Sequence, residues 1–352
     1  MSQVRQQIRF VRTSDGLKLA WAESGSGPLL VKAANWMHLA YDEESPLWRH
    51  WLDFFSDHFR FVRYDERGCG MGDHNASAFS VESWVDDLER VVEAAAPREP
   101  FALLGILQGA PMCIGYAVRH PERVSKMVLY GGYARGFFHR GDADSQRENA
   151  AMLEAMRVGW GKQNPAFRQL FTWRFAPEAA PEQLGWFAEL ARKSVAPETA
   201  AAIFEARGQT DVADLLSQVR VPTLVIHARD DAAAPFSEGR LIASSIPGAR
   251  FVELEGKNHV LLEDEPAWPK FQAAVLDFLG VSRDAEVFAS LSKREREILA
   301  LMTDGFGNNE IAERLSISEK TVRNHISSVY DKLGVWTRAQ AMVFARDHGF
   351  RG

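Results

Sequence analysis

Residues Phe101 to Ala117 constrain this chain more than any other stretch. Phe101-Ala102-Leu103-Leu104 is an apolar run of strand length. Gly105 and Gly109 then stand four apart, and Pro111-Met112-Cys113-Ile114-Gly115-Tyr116-Ala117 reads as a buried helix. The pattern predicts a strand, a sharp turn and a helix, with glycines where the turn passes close to its neighbours. At the crest stands Leu107. Its isobutyl group has no lone pair and no acidic proton, so it cannot attack a carbonyl.

The rest of the chain must supply the sheet around that turn. Ile8–Val11 and Leu17–Trp21 read as strands joined at Ser14-Asp15-Gly16, and Pro28–Ala33 as a third. Pro46–Phe59 has Trp48, Trp51, Leu52 and Phe55 at helical spacing, which predicts a packing face. Arg60–Arg63 is a short strand, followed by Asp65-Glu66-Arg67-Gly68-Cys69-Gly70-Met71-Gly72-Asp73. That glycine spacing does not fit a phosphate-binding loop, so a structural turn is expected. Val81–Ala95 is an amphipathic helix headed by Ser80, and Val124–Tyr130 a strand ending in Gly131-Gly132. Between 134 and 218 strand character disappears. Helical segments divided by Pro165, Pro177, Pro181 and Pro197 carry Trp160, Phe167, Phe171, Trp173, Phe175, Trp186 and Phe187. Strands return at Thr223–His227 and Arg250–Leu254, with Asp231 and His259 just beyond their ends, and a last helix spans Pro266–Leu279.

At 352 residues the chain is long enough for two or three domains. Two cysteines, Cys69 and Cys113, exclude a disulfide framework and zinc-finger spacing, and no metal or cofactor is expected. Met1–Arg12 has no secretion signal and no apolar run spans a membrane, so a cytoplasmic protein without a membrane partner is expected. The net charge is −6, but its distribution is uneven. From Arg283 on there are 11 basic and 10 acidic residues, against 30 and 37 in the remainder. Any contact with nucleic acid must therefore come from clustered cations rather than bulk charge.

The order of these features resembles the α/β-hydrolase superfamily over residues 1–280. The resemblance implies an α/β fold: a mostly parallel sheet with a helical cap at about 134–218. Phe101–Ala117 would be the nucleophile elbow, whose crest usually carries Ser, Cys or Asp. Asp231 and His259 occupy the acid and base positions, so the triad positions Leu107, Asp231 and His259 are degenerate and no catalytic residue is assigned. Ala33-Ala34-Asn35-Trp36 stands where His-Gly usually supplies an oxyanion amide. More narrowly, Ser45-Pro46-Leu47-Trp48-Arg49-His50-Trp51, Arg63-Tyr64-Asp65-Glu66-Arg67-Gly68 and Leu129-Tyr130-Gly131-Gly132-Tyr133 resemble hydrolase-like sensor domains joined to bacterial regulators.

After a linker at 281–290, with Arg283-Asp284-Ala285 as its polar part, residues 291–352 read as four helices. Ser292 and Glu295 make a capping box ahead of Lys293–Met302. Asn308–Leu315 and Ser318–Leu333 fit a helix-turn-helix, though pattern alone also fits a plain bundle, and Thr337–Asp347 follows. Leu291-Ser292-Lys293-Arg294-Glu295-Arg296-Glu297-Ile298-Leu299, Asn309-Glu310-Ile311-Ala312 and Ser318-Glu319-Lys320-Thr321-Val322-Arg323-Asn324-His325-Ile326 resemble the LuxR-type DNA-binding domain. That resemblance implies a helix from Ser318 in the major groove of double-stranded DNA. Arg323, Asn324 and Ser327 would face bases, Lys320 and Thr321 would contact the backbone, and a homodimer would form through Thr337–Arg346.

The expected function is a ligand-responsive transcriptional regulator, not an enzyme. Its hydrolase-like domain would bind a small, mostly apolar molecule with one or two polar groups through Asn35, Trp36, Leu107, Gln108 and His259. One alternative is a regulator that keeps non-covalent hydrolase or base-catalysed activity through His259 and Asp231. Another is an N-terminal domain that serves only as a dimerisation scaffold.

Overall fold

The computed structural model describes residues 6–36, 38–95, 100–140, 143–281, 288, 290–347 and 350. The chain forms two compact units, Met1–Val275 and Leu276–Gly352.

The first unit is built on a sheet of β1 (Gln7–Arg12), β2 (Lys18–Ser24), β3 (Leu29–Lys32), β4 (Arg60–Tyr64), β5 (Phe101–Ile106), β6 (Val124–Tyr130), β7 (Thr223–Ala228) and β8 (Arg250–Leu254). Their spatial order is β1-β2-β4-β3-β5-β6-β7-β8. The pairs β1–β2 and β2–β4 are antiparallel and all the others parallel. The central strands are mostly apolar because helices cover both faces, and β7 is buried along its whole length. Among the helices are α1 (Leu39–Asp42), α2 (Arg49–His58), α3 (Val81–Ala95) and α4 (Gly109–Arg119). Ser80 and Ser83 exchange hydrogen bonds at the head of α3, each amide donating to the other's hydroxyl.

The stretch 134–218 contains no strand among its described residues. It forms α5 (Ala143–Gly159), α6 (Ala166–Trp173), α7 (Pro181–Ser194), α8 (Pro197–Gly208) and a 3-10 turn at Ala213–Gln218. The prolines open helices rather than break them. Pro181 and Pro197 are first residues, where the missing N–H is no loss, and Pro165 precedes α6. The two ends of this insertion are stitched together: Val212 N–H donates to Ala134 O at 2.9 Å and Gly136 N–H to Thr210 O at 2.6 Å. Buried Glu238, on α9 (Phe236–Ser245), accepts the amides of Ala134 and Arg135 and so fixes the departure from the sheet. Helix α10 (Ala267–Leu279) closes the unit's sequence, and the division between units falls within it.

The glycine-rich turn at Asp65–Asp73 is structural, as its spacing predicts. Both oxygens of buried Asp65 accept backbone amides, from Leu39 at 2.9 Å and Met71 at 2.8 Å. Buried Arg67 holds Asp87 through two bonds of 2.7 Å. Desolvation pushes the Asp65 carboxyl up to about 7.

The second unit contains α11 (Lys293–Thr303), α12 (Asn308–Leu315), α13 (Glu319–Leu333) and α14 (Arg338–Asp347). The linker residues Arg283, Asp284 and Ala285 lie outside the described residues. Ile298, Met302, Ile311, Val322, Ile326, Val329 and Leu333 form the core. Between α12 and α13 the chain reverses through Ser316, a non-glycine in the left-handed region at φ 52°. Ser318 then caps α13 by accepting from Thr321 N–H at 3.1 Å.

Glu295 does more than its capping box predicts. Besides Ser292 N–H at 2.6 Å it accepts from Ser328 Oγ and Lys332 Nζ, both at 2.7 Å, tying α11 to α13. Desolvation opposes its charge, but these donors hold the carboxyl down at about 2. A depressed carboxylate contributes stability that is complete above the unfolded value near 4.5 and is lost as pH falls towards 2. Glu295→Ala is therefore expected to destabilise this unit by about 2 kcal/mol at pH 7. The loss should shrink below pH 4, read as hydrogen exchange of the α11 and α13 amides in the full chain.

Candidate functional site

The turn after β5 has the sharp geometry that its glycines predict. A Cβ on Gly105 would stand 2.9 Å from Cys113 Sγ and 2.9 Å from Gly109 O, and one on Gly109 3.3 Å from Ala33 Cβ. At the crest Leu107 has φ 50°, a conformation costing a non-glycine residue about 1–2 kcal/mol. Leu107 N–H is anchored to Tyr130 O at 3.0 Å, and its side chain lines the adjoining cavity. Gln108 is the N-cap of α4, so its amide is among those a helix leaves without an intrahelical partner.

Asp231 and His259 meet beyond the carboxyl ends of β7 and β8, beside the crest. His259 Nδ1 donates to Asp231 Oδ2 at 2.7 Å, while Asp231 Oδ1 accepts the amides of Ala233 at 2.8 Å and Ala234 at 3.0 Å. Burial works against the ionised carboxylate, but attraction to His259 and the bond from it keep Asp231 below its ordinary value. The bond to Asp231 places a proton on Nδ1. Buried Nε2 has no hydrogen-bond partner. Gly131, in the left-handed region at φ 54°, makes room for this imidazole, since a Cβ there would lie 2.4 Å from His259 Cε1.

Crest, dyad and cap enclose a cavity of about 160 Å³. All five sequence-predicted ligand residues, Asn35, Trp36, Leu107, Gln108 and His259, line it. Their polar atoms are not equally free. Asn35 Nδ2 donates to Ile106 O at 3.2 Å and its Oδ1 is taken by Lys32. Trp36 Nε1 and Gln108 Oε1 are buried without partners.

Of the cap aromatics named from the sequence, Phe171, Phe175 and Phe187 line the cavity, joined by Phe137 and Phe204. Trp160 instead packs edge-on to Trp36, Trp186 meets Trp48, and Trp173 is half exposed. Sequence reasoning missed several lining residues. Trp48, Trp51, Leu52 and Phe55 read as a packing face by their period, yet all four reach the cavity. Tyr133, Phe137, Arg140 and Arg174 were not singled out. Arginines inside an aromatic, strand-free segment were the available signal for the last two.

The charged groups around the cavity are unevenly matched. Arg63 pairs with Asp42, and Arg207 with Glu66. Burial lowers Lys32 to about 8. Arg140 and Arg174 have no ion pair within 4.0 Å among the described residues. Among the described residues there is also no group of three or more His, Cys, Asp or Glu able to hold a metal ion.

In the second unit α13 sorts its side chains cleanly. Val322, Ile326 and Val329 are buried, whereas Lys320, Arg323, Asn324 and Ser327 are exposed and Thr321 is partly so. Arg323 Nη1 lies 3.4 Å from Glu319 Oε1. Thr321 Oγ1 is 2.8 Å from Ser318 Oγ, so its hydroxyl is engaged at the cap.

Fold and sites define a hydrolase-fold domain joined to a helix-turn-helix DNA reader. Residues 39–266 match the family described as the alpha/beta hydrolase fold, and the chain belongs to it. Residues 289–345 match the bacterial regulatory proteins of the luxR family, so the protein is a LuxR-type DNA-binding regulator fused to a hydrolase-fold domain. AB hydrolase superfamily protein YisY of Bacillus subtilis is 26% identical over 211 residues, covering 59% of this chain and 77% of its own. Transcriptional regulatory protein DegU of Brevibacillus brevis is 50% identical over 60 residues, which are 17% of this chain and 25% of that regulator. This chain thus spans a quarter of DegU. Among solved structures, a hydrolase from Pseudomonas aeruginosa PA01 superposes with TM-score 0.63 at 27% identity, covering 78% of this chain and 98% of its own.

Proposed function

We propose that the hydrolase-fold domain has lost its nucleophile and holds a small molecule without breaking it, and that this binding sets the affinity of the helix-turn-helix for its operator. One observation carries the reading: the crest of the strained elbow bears Leu107, and among the described residues no serine, threonine or cysteine lines the cavity. The two hydroxyls that do line it belong to Tyr64 and Tyr133, and burial raises both phenols above their ordinary value. Neither is an activated nucleophile. Around Leu107 the aromatic walls supply apolar contact, while His259 Nε2, Trp36 Nε1 and Gln108 Oε1 supply directional polar groups. Lys320 and Thr321 would seat α13 on the backbone, and Arg323, Asn324 and Ser327 would read bases. The regulator would work in the cytoplasm as a homodimer joined through α14. No described helix is long and apolar enough to cross a membrane.

The intact Asp231–His259 pair favours a second reading, in which His259 activates water without a covalent step. Purified full-length protein tested with p-nitrophenyl acetate, a thioester and a small lactone separates the two. The sensor reading expects no turnover above buffer, together with a compound that raises the melting temperature and changes operator affinity. Steady turnover lost in His259→Ala would establish the second reading.

A further inference from the structure

The cavity is not neutral, and its excess charge specifies the ligand's chemistry. Arg140 and Arg174 both come from the cap segment and both line the cavity with His259. Arg140 stacks over Tyr133, 4.8 Å from guanidinium to ring centre, and its buried Nη1 has no hydrogen-bond partner. Among the described residues Arg174 has one hydrogen bond, to neutral Asn149 at 3.3 Å. Burial lowers the pKa of each guanidinium, and Arg140 lowers that of Arg174 further, so the pair is both desolvated and mutually repelling. The nearest carboxylates are already engaged or remote. Glu238 is occupied by Arg135, Asp231 by His259, and exposed Glu148 forms no ion pair with Arg174. Two half-buried cations that line one cavity with no ion-paired anion among the described residues leave room for one.

We propose that the ligand is a small apolar monocarboxylate whose carboxylate lies against Arg140 and Arg174. The proposal rests on the sensor reading given above and adds the ligand's class. Electroneutrality favours one negative charge. Both arginines feel Asp231, whose one negative charge offsets one of their two positive charges, and a monocarboxylate would cancel the other. Lys32 and Arg63 line the same cavity, where Asp42 attracts both. Size favours a single ring or a short chain, since a cavity of about 150 Å³ takes up benzene. Trp36 Nε1, a donor buried to nine-tenths and without a partner, offers the ligand one more hydrogen bond. The walls of Phe137, Phe171, Phe175 and Phe187 would cover its apolar body.

Isothermal titration of the full-length protein at pH 7 with benzoate, hexanoate, benzamide and hexanamide tests this. Each acid is expected to bind at least about tenfold more tightly than its amide, the scale of a charge-assisted hydrogen bond. Arg140→Gln and Arg174→Gln should each bring that ratio towards one, whereas Arg140→Lys should keep part of it. Melting curves of the unliganded variants report folding. If a glutamine variant does not fold, the wild-type ratio and the lysine variant decide. Amides binding as tightly as acids would overturn the carboxylate assignment and leave the sensor reading standing. No saturable binding by any of the four probes would overturn both.

Discussion

Leu107→Ser should turn this protein into a slow esterase, raising p-nitrophenyl acetate hydrolysis by about 10²- to 10⁴-fold over the unmodified chain. The strained turn and the Asp231–His259 pair are in place. The backbone already holds residue 107 at φ 50°, with its N–H tied to Tyr130 O, so a serine need not create the strained turn. A hydroxyl at the crest would share the cavity with His259, whose ring is oriented by the 2.7 Å bond to Asp231. The free amide of Gln108 at the head of α4 offers one donor to a developing oxyanion. Pre-steady-state traces should show a burst of p-nitrophenolate equal to the enzyme concentration, followed by slower deacylation. The double variant Leu107→Ser, His259→Ala should show no gain. A folded single variant without a burst would mean that the crest and the imidazole are too far apart for proton transfer, and that the dyad serves binding alone.

Much of this was legible in the chain, for identifiable reasons. Parallel strands buried on both faces write themselves as apolar runs, so β5 was found from Phe101–Leu104 although it runs on to Ile106, and β6 and β8 were bounded correctly. Capping chemistry is local, which is why Ser80, Ser292 and Ser318 marked helix starts. The dyad was legible because chain order and strand ends place Asp231 and His259. The cavity lining was less so. A period of 3.6 tells that Trp48 and Phe55 face inward, but not whether protein or empty space lies opposite them. Arg140 and Arg174 are separated from Asp231 and His259 by long stretches of sequence, and only the folded cap brings them together. Ser316 in the left-handed region was invisible because glycine or asparagine, the usual signals, are absent there.

The DNA surface makes a sharper demand than affinity alone. Arg323→Ala is expected to weaken binding to the operator by about 10- to 100-fold, the value of one bidentate contact to a guanine, with a far smaller loss on random duplex. Val322, Ile326 and Val329 commit one face of α13 to the core, so Arg323, Asn324 and Ser327 must point away from it, and Glu319 holds the guanidinium at 3.4 Å along the helix surface. Because Ser318 caps the helix, its N-terminal end is also the natural seat for a phosphate, with Lys320 exposed beside it. Lys320→Ala should therefore reduce operator and random-DNA binding by the same factor and lower the slope of log affinity against log salt by about one. Titrations of both variants at several salt concentrations distinguish the roles. Equal losses on both DNAs for Arg323→Ala would make it a backbone contact and move base reading to Asn324 and Ser327, the remaining exposed polar residues on that face.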